Sequence, residues 1–209
     1  KHGGLPWLKR VSGGMAASHR TKHTVPLPSK PARFFGAHLS SAGKCRMGFG
    51  IAFQQALGLR PCELRHLEPE HVMIPDGGVG QFVLRLGAEV NTKVKREQFA
   101  ILHSADFPDL AYLLLLLVAA TPESHKLFPF SYNAYNANIA AVEAQLGLQL
   151  GVTPHSPRAG FASELAAAGT PVATIKERGR WWSELSFRTY VDVVTAAQVQ
   201  AMIGLASFS

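Results

Sequence analysis

The spacing of hydrophobic residues changes along the chain, and the N-terminal segment has no regular spacing. Residues Lys1–Lys30 are rich in Gly, Ser, His, Lys and Pro without regular apolar spacing, a composition typical of linkers. From about Pro31, apolar residues recur at helical spacing and predict two helices separated by Ser40–Gly43. Another helical stretch begins around Arg60 and ends near Pro69.

The middle of the chain changes to the short segments and turns that are typical of β-structure. Three β-prone segments are separated by a turn at Pro75–Gly80 and by the polar segment Glu89–Glu97. We expect a small antiparallel sheet whose last hairpin carries basic side chains near its turn. The three predicted strands are His71–Ile74, Gln81–Leu86 and Gln98–Leu102.

The second half returns to helical spacing, with long helices predicted at Asp109–Ala120 and Ser131–Leu146. Three shorter helices follow, each bounded by residues that favour helix ends. The sequence therefore predicts a mostly α-helical fold with a small three-stranded antiparallel β-sheet, an α+β class. The boundary residues are Ser156–Pro157 and Gly169, then Pro171 and Gly179, then Ser183 for a helix that continues through Tyr190.

Composition indicates a folded domain with a polyanionic partner. Of the 209 residues, 47% are hydrophobic and 17% are charged, which favours a buried core over disorder. The 21 Lys and Arg against 14 Asp and Glu give a net charge of +7, which favours nucleic acid first and an anionic membrane second. The longest apolar run, Ala111–Ala120, is too short to cross a bilayer.

The two cysteines, Cys45 and Cys62, are predicted to be reduced thiols rather than a disulfide. This favours an intracellular, reducing location, either the cytoplasm and nucleoid or the nucleus. No Cys-x-x-Cys pair or His/Cys cluster has the spacing of a zinc site, so no metal is predicted.

Four separated motifs carry the residue types that phosphate chemistry needs. They are Gly58-Leu59-Arg60-Pro61-Cys62-Glu63-Leu64, Thr92-Lys93-Val94-Lys95-Arg96, His155-Ser156-Pro157-Arg158-Ala159-Gly160, and Gly179-Arg180-Trp181-Trp182 followed by Tyr190. In this order they resemble the catalytic domain of the tyrosine recombinase (phage integrase) family, over roughly Thr24–Ala197. The resemblance implies that fold for Thr24–Ser209, and it makes Lys1–His23 a basic linker or the remnant of a missing N-terminal core-binding domain.

The resemblance implies a catalytic role for one residue or more in each motif. In the family, a Gly-Leu-Arg-x-x-Glu-Leu helix supplies one arginine, a hairpin supplies a lysine, and a His-x-x-Arg helix start supplies a histidine and a second arginine. A His or Trp after a glycine is followed nine residues later by the nucleophilic tyrosine. The matching residues are Arg60, Lys93, His155, Arg158, Trp181 and Tyr190.

These residue types suit the transfer of a phosphodiester to a phenol. Negative charge accumulates on the non-bridging oxygens, and two arginine forks, Arg60 and Arg158, can bind it without a metal. A hairpin lysine can protonate the departing 5′-oxygen, and His155 can take the proton of Tyr190 or hold a phosphate oxygen. The implied activity is DNA cleavage and rejoining through a 3′-phosphotyrosine, with no cofactor, metal or ATP.

Two assignments depend on small differences in spacing. Lys93 is preferred as the general acid because Thr92-Lys93 fits the family pattern better, and Lys95 stays the alternative. In many relatives with a Gly-Arg-Trp motif the tyrosine comes one residue sooner, so the match of Trp181 is the looser one. Trp182 and Phe187 are assigned to the core.

The resemblance also implies double-stranded DNA as the partner and a homotetramer on DNA, with no membrane and no small-molecule cofactor. Basic side chains outside the chemistry, namely Lys95, Arg96 and Arg180, are expected to contact DNA phosphates. The apolar C-terminal segment Val191–Ser209 is expected to dock on a neighbouring subunit.

Each motif taken singly also fits an ordinary structural role. A Gly-Leu-Arg-x-x-Glu segment is often a helix with a surface ion pair, a turn lysine is often just solvated, and a tyrosine in an amphipathic helix is often core. Their joint order favours the recombinase interpretation. Two alternative functions stay open: a type IB topoisomerase-like enzyme, and a DNA-binding module that descends from a mobile-element recombinase and no longer cleaves.

Overall fold

The computed structural model describes residues 24–87 and 97–206, and it confirms a mostly helical fold with a small antiparallel sheet. The helices of this part are α1 (Ser29–Ser41), α2 (Cys45–Leu57), α3 (Pro61–Arg65), α4 (Pro108–Ala119), α5 (Tyr132–Gln145), α6 (Ser156–Ala167), α7 (Val172–Gly179), α8 (Glu184–Arg188) and α9 (Val193–Ala206). The strands are β1 (Val72–Met73), β2 (Gln81–Leu86) and β3 (Gln98–His103).

The predicted helical pair at the start is α1 and α2, and the break falls where the sequence placed it. The two helices approach closely through Gly36 and Gly48, because a Cβ on Gly48 would overlap the carbonyl group of Gly36. α2 ends at Gly58, which adopts the left-handed conformation at φ 57° that glycine favours. This turn directs the chain into the Arg60 motif.

The sheet is antiparallel in the order β1-β2-β3, as predicted. Leu84 pairs with Val72 on one side and with Ala100 on the other, and all three side chains are buried. The alternate face, with Phe99 and Ile101, is exposed. The turn between β2 and β3 would carry Lys93, Lys95 and Arg96, which lie outside the described residues.

Two aliphatic clusters form most of the core. One lies between the sheet, α2 and α4, and the other joins the segment around Leu27 to α1, α5 and α9. α9 buries Ala196, Val199 and Ile203, and it packs on α1 and α6 of its own chain. Val194 and Met202 of the same helix are exposed, at 70% and 45%, and the docking of Val191–Ser209 on a neighbouring subunit stays a prediction.

Three local predictions were wrong in detail. Trp182 was assigned to the core and is 63% exposed, because the chain turns directly after α7. Tyr190 was placed within the last short helix, but α8 ends at Arg188 and Tyr190 follows its C-cap. His155, not Ser156, occupies the N-cap position of α6.

Other features bear on the composition-based expectations. Cys45 and Cys62 are free. Within residues 24–87 and 97–206, no helix has the length and apolarity needed to cross a membrane, and no cluster of His, Cys, Asp and Glu could hold a metal ion.

Candidate active site

Five of the six predicted catalytic residues come together at the ends of four helices. Arg60 precedes α3, and His155 and Arg158 lie at the start of α6. Trp181 follows α7, and Tyr190 follows α8. The sixth residue, Lys93, lies outside the described residues. These residues lie at helix ends because each motif is next to a glycine, proline or serine that favours a helix end.

Tyr190 and His155 lie within hydrogen-bonding distance of each other. The Tyr190 hydroxyl lies 3.2 Å from Nδ1 of His155. Burial lowers the pKa of His155 from its ordinary value, and the nearby Arg158 and Arg60 lower it further. A neutral imidazole with its proton on Nε2 leaves Nδ1 free to accept from the hydroxyl. The pair therefore has the geometry of a nucleophile next to a base.

Arg158 is the most deeply buried charged residue of the site, at 1% exposure. Its Nη1 donates to the Gly58 carbonyl and its Nη2 donates to the Gly179 carbonyl, at 2.5 Å for the latter. Its guanidinium lies over the Trp181 ring at 4.0 Å. Burial lowers its pKa to about 9, although the carboxylate of Glu63 opposes that shift. Arg158 thus ties together two separate loops of the pocket.

Arg60 is the more accessible of the two predicted arginine forks, with 29% of its side chain exposed. Its Nη1 donates to Glu63, and its Nη2 donates to the Arg180 carbonyl at 3.0 Å. Nη1 also lies 3.4 Å from the side-chain oxygen of Gln98, at the start of β3. Arg60 is therefore the cation that a phosphate could reach with the least rearrangement.

Trp181 forms the apolar floor of the site and is 5% exposed. It stacks on Phe161, and its ring centroid lies 5.4 Å from that of Tyr190. Gly179 is required beneath it, because a Cβ there would overlap the indole ring. The indole Nε1–H is buried and has no hydrogen-bond partner. Buried polar groups are nearly always paired, so this donor is suited to an incoming oxygen atom.

Glu63 is the one carboxylate at the centre of the described cationic cluster. Burial raises its pKa, but Arg180, Arg158 and Arg60 outweigh that effect and hold the pKa at about 2. Its two oxygens accept from the Arg60 side chain and backbone and from Nη2 of Arg180. Three guanidinium groups around one carboxylate leave an excess of positive charge, which suits a bound anion.

Arg180 is buried, although its predicted role is that of an exposed DNA contact. It was expected to contact DNA phosphates from the surface, but it is 9% exposed. Its guanidinium donates to Glu63 and to the carbonyl of Gly58. A DNA contact at this position stays a prediction. It would require the side chain to leave these partners.

Two buried polar residues hold the site together and were not identified from the sequence. The side-chain amide of Gln54 donates to the carbonyls of Leu59 and Pro154, next to Arg60 and His155 respectively. Ser163 donates to the Tyr190 carbonyl at 3.2 Å and accepts from the Asp192 amide at 2.9 Å. A glutamine within the apolar stretch of α2 was a usable signal, whereas a serine in a helix was not.

Comparison with known proteins finds similar folds among solved structures but no related sequence. No family model matches the sequence, and no curated protein matches it. Among solved structures, XerA recombinase is similar with a TM-score of 0.63 and 18% identity, over 87% of this chain and 66% of that chain. XerH site-specific recombinase, bound to its difH substrate in a pre-cleavage complex, is similar with a TM-score of 0.61 and 15% identity, over 81% of this chain.

A third similar structure is the Tn1549 transposon integrase in complex with circular intermediate DNA. Its TM-score is 0.61 with 14% identity, over 90% of this chain and 68% of that chain. The match to XerH covers 50% of the XerH chain, so this chain spans about half the length of that protein. At these identities the likeness concerns the fold. The chain has the catalytic-domain fold of the tyrosine recombinases.

Proposed function

We propose that this chain is the catalytic domain of a site-specific DNA recombinase that cleaves and rejoins strands through a 3′-phosphotyrosine at Tyr190. The observation that carries the proposal is the contact between Tyr190 and His155, 3.2 Å long, beside the guanidinium groups of Arg60 and Arg158. An ordinary core tyrosine has no need of a half-buried histidine at its hydroxyl with two arginines close enough to lower the pKa of that histidine.

In the cleavage step, the Tyr190 oxygen attacks the scissile phosphorus and its proton passes to Nδ1 of His155. A phenol with a pKa near about 10 is a poor nucleophile at neutral pH, so the neighbouring base and cations are needed. The forks of Arg60 and Arg158 bind the non-bridging oxygens as charge accumulates. The buried indole N–H of Trp181 is a further donor for one of these oxygens.

The bond from phosphorus to the 5′-oxygen breaks as the tyrosyl bond forms, and the leaving oxygen takes a proton. We assign that proton to Lys93, with Lys95 as the alternative, on the basis of the sequence motif. Because the phosphotyrosine is itself a phosphodiester, a 5′-hydroxyl can attack it and release Tyr190, which recovers its proton. The guanidinium groups perform the charge stabilisation that a metal performs elsewhere, and no nucleotide hydrolysis is needed for the exchange.

The partner in this proposal is double-stranded DNA. A homotetramer binds two duplexes and exchanges strands between them. Support comes from the net charge of +7 and from similar proteins whose structures contain DNA substrates. DNA affinity that depends on phosphate contacts falls steeply with salt concentration. The isolated chain, which spans half of the XerH chain, is expected to bind DNA weakly.

The test uses nicked duplexes of a random library, whose cleavage releases a short fragment and traps the covalent intermediate. The wild type in EDTA should give a DNA–protein adduct that survives denaturing electrophoresis. Tyr190→Phe should give none, because it lacks the nucleophilic oxygen.

Tyr132→Phe is the matched control, because its ring lies 6.4 Å from that of His155, almost the same distance as the 6.3 Å between the rings of His155 and Tyr190. It should retain the adduct. An adduct that persists in Tyr190→Phe would refute the assignment. DNA binding without an adduct on any substrate, even when a core-binding domain is supplied, would favour the non-cleaving alternative.

A further inference from the structure

Arg180 has a backbone conformation that arginine rarely adopts. It caps α7 in the left-handed region, at φ 60° and ψ 42°, where glycine is the favoured residue. The side chain adds a second cost, since its Nε–H is buried without a hydrogen-bond partner. Costly local arrangements persist where the surrounding structure uses them, and they concentrate at functional sites.

The left-handed turn directs the Arg180 side chain inward, beneath the catalytic pocket. Its Nη2 donates to Glu63 at 3.0 Å and to the Gly58 carbonyl at 3.1 Å. Its Nη1 donates to the Arg178 carbonyl at 3.1 Å. The guanidinium therefore joins the end of α7 to the turn before Arg60 and to the carboxylate behind it.

These contacts hold Arg60 from two directions. The Arg180 carbonyl accepts directly from Nη2 of Arg60 at 3.0 Å. Glu63, which the Arg180 side chain grips, accepts from Nη1 of Arg60 and from its backbone N–H. Both terminal nitrogens of the accessible arginine fork are thus held by groups whose own positions depend on Arg180.

We infer that Arg180 is a positioning residue that fixes the guanidinium of Arg60 for the scissile phosphate, an inference that rests on the proposed function. The Arg180 side chain is 7% exposed, whereas that of Arg60 is 29% exposed, so Arg60 is the more accessible of the two to a phosphate. Arg158, which shares the Gly58 carbonyl, is held by a second carbonyl at Gly179 and depends less on Arg180.

The first test measures single-turnover adduct formation at saturating DNA, on the substrate that the wild type cleaves. Arg180→Met keeps the volume and removes the fork. It should slow cleavage by about 100-fold, the scale expected when a catalytic group is misplaced, with DNA affinity unchanged within about threefold. Arg180→Lys, which restores the charge without the fork, should recover only part of the rate.

The matched control is Arg188→Met, which removes the same charge from a side chain that is 75% exposed. It should cleave at the wild-type rate. An equal loss in both variants would mean that net charge, not position, decides the rate. A loss of DNA affinity in Arg180→Met with a normal saturated rate would mean a direct DNA contact. Either result would overturn the inference.

A neutral substrate separates positioning from general damage to the fold. If the scissile phosphate is replaced by a methylphosphonate, Arg60 has less charge to bind and its placement matters less. The difference between wild type and Arg180→Met should then narrow to less than about tenfold. A merely structural defect would leave the 100-fold difference unchanged.

A last measurement does not depend on cleavage. In the wild type, the side-chain N–H signals of Arg60 in ¹⁵N NMR, assigned with Arg60→Lys, should show hindered rotation of the guanidinium. That hindrance should disappear in Arg180→Met while the backbone spectrum is retained. An unchanged Arg60 signal would overturn the inference. Loss of hindrance in a protein that forms no adduct would uphold the positioning role and refute the proposed function alone.

Discussion

The apolar cluster beneath the sheet and the charged cluster at the candidate active site are both buried, but they are built from opposite kinds of side chain. The first is aliphatic and aromatic, with Phe82, Leu84 and Leu114 fully buried. The second contains Arg158 and Glu63 at 1% and 4% exposure. Apolar burial stabilises a fold in proportion to area, whereas buried charges stabilise it only when every partner is present. We therefore expect the effects of substitutions in the sheet cluster to be independent of one another. In the charged cluster, the loss of one partner should weaken the contribution of the others.

The largest effect should come from removing the carboxylate of the charged cluster. Glu63→Leu leaves three guanidinium groups without their counter-charge and should reduce the free energy of unfolding by about 3–5 kcal/mol. Adding Arg180→Met should cost less than the sum of the two changes, by about 1–3 kcal/mol. Urea unfolding of the two single variants and the double variant measures this coupling.

The control pair is Leu84→Ala with Leu39→Ala, which lie in separate aliphatic clusters. Their effects should add within about 0.5 kcal/mol. Coupling as strong in this pair as in the charged pair would contradict the contrast between the two regions.

A second expected effect is a loss of stability in acid that is caused by protonation of Glu63. The pKa of Glu63 is lowered from 4.5 to about 2, so its carboxylate stabilises the fold above pH 4.5. That contribution, roughly 3 kcal/mol, is lost as the pH falls from 4.5 through 2. Urea unfolding across this range should show a shallower loss in Glu63→Gln than in the wild type. A ¹³C titration of the wild-type carboxyl checks the pKa directly, and a midpoint near 4 would refute the prediction.

A smaller effect should come from the Ser163 hydroxyl, which holds the backbone around Tyr190. Ser163→Ala removes the bonds to the Tyr190 carbonyl and the Asp192 amide, and it should cost about 1–2 kcal/mol. Ser40→Ala is the matched control, since its hydroxyl bonds only the carbonyl one turn earlier in α1, and it should cost little. Thermal unfolding measures both, and equal losses would remove any special role for Ser163.

The smallest effect is expected at Trp182. Trp182→Ala should change the free energy of unfolding by about 0.5 kcal/mol or less, because that side chain is 63% exposed. Trp181→Ala should cost about 3–5 kcal/mol, because it empties the floor of the pocket. Comparable losses in the two variants would show that the sequence-based assignment of Trp182 to the core was correct after all.

Local spacing was enough to predict most elements of the fold. The strand Gln81–Leu86 matches the prediction, and the break between the first two helices, at residues 42–44, lies within two residues of the predicted Ser40–Gly43, because side-chain period and turn residues act within a few positions. The motif order indicated the fold and the residues that gather at the pocket. The roles of Gln54 and Ser163 were missed, since the partners Pro154 and Tyr190 lie 100 and 27 positions away in sequence.

What the sequence determined by itself is the set of elements and the residue types available at their ends. Only the tertiary structure decided which of those residues are buried. One left-handed residue, Arg180 at φ 60°, turns its own side chain inward and is followed by a buried and then an exposed tryptophan. Arg158 meets the Gly58 carbonyl across 100 positions of sequence. No local period can encode such choices, because they depend on a single backbone angle and on contacts formed only after the chain has folded.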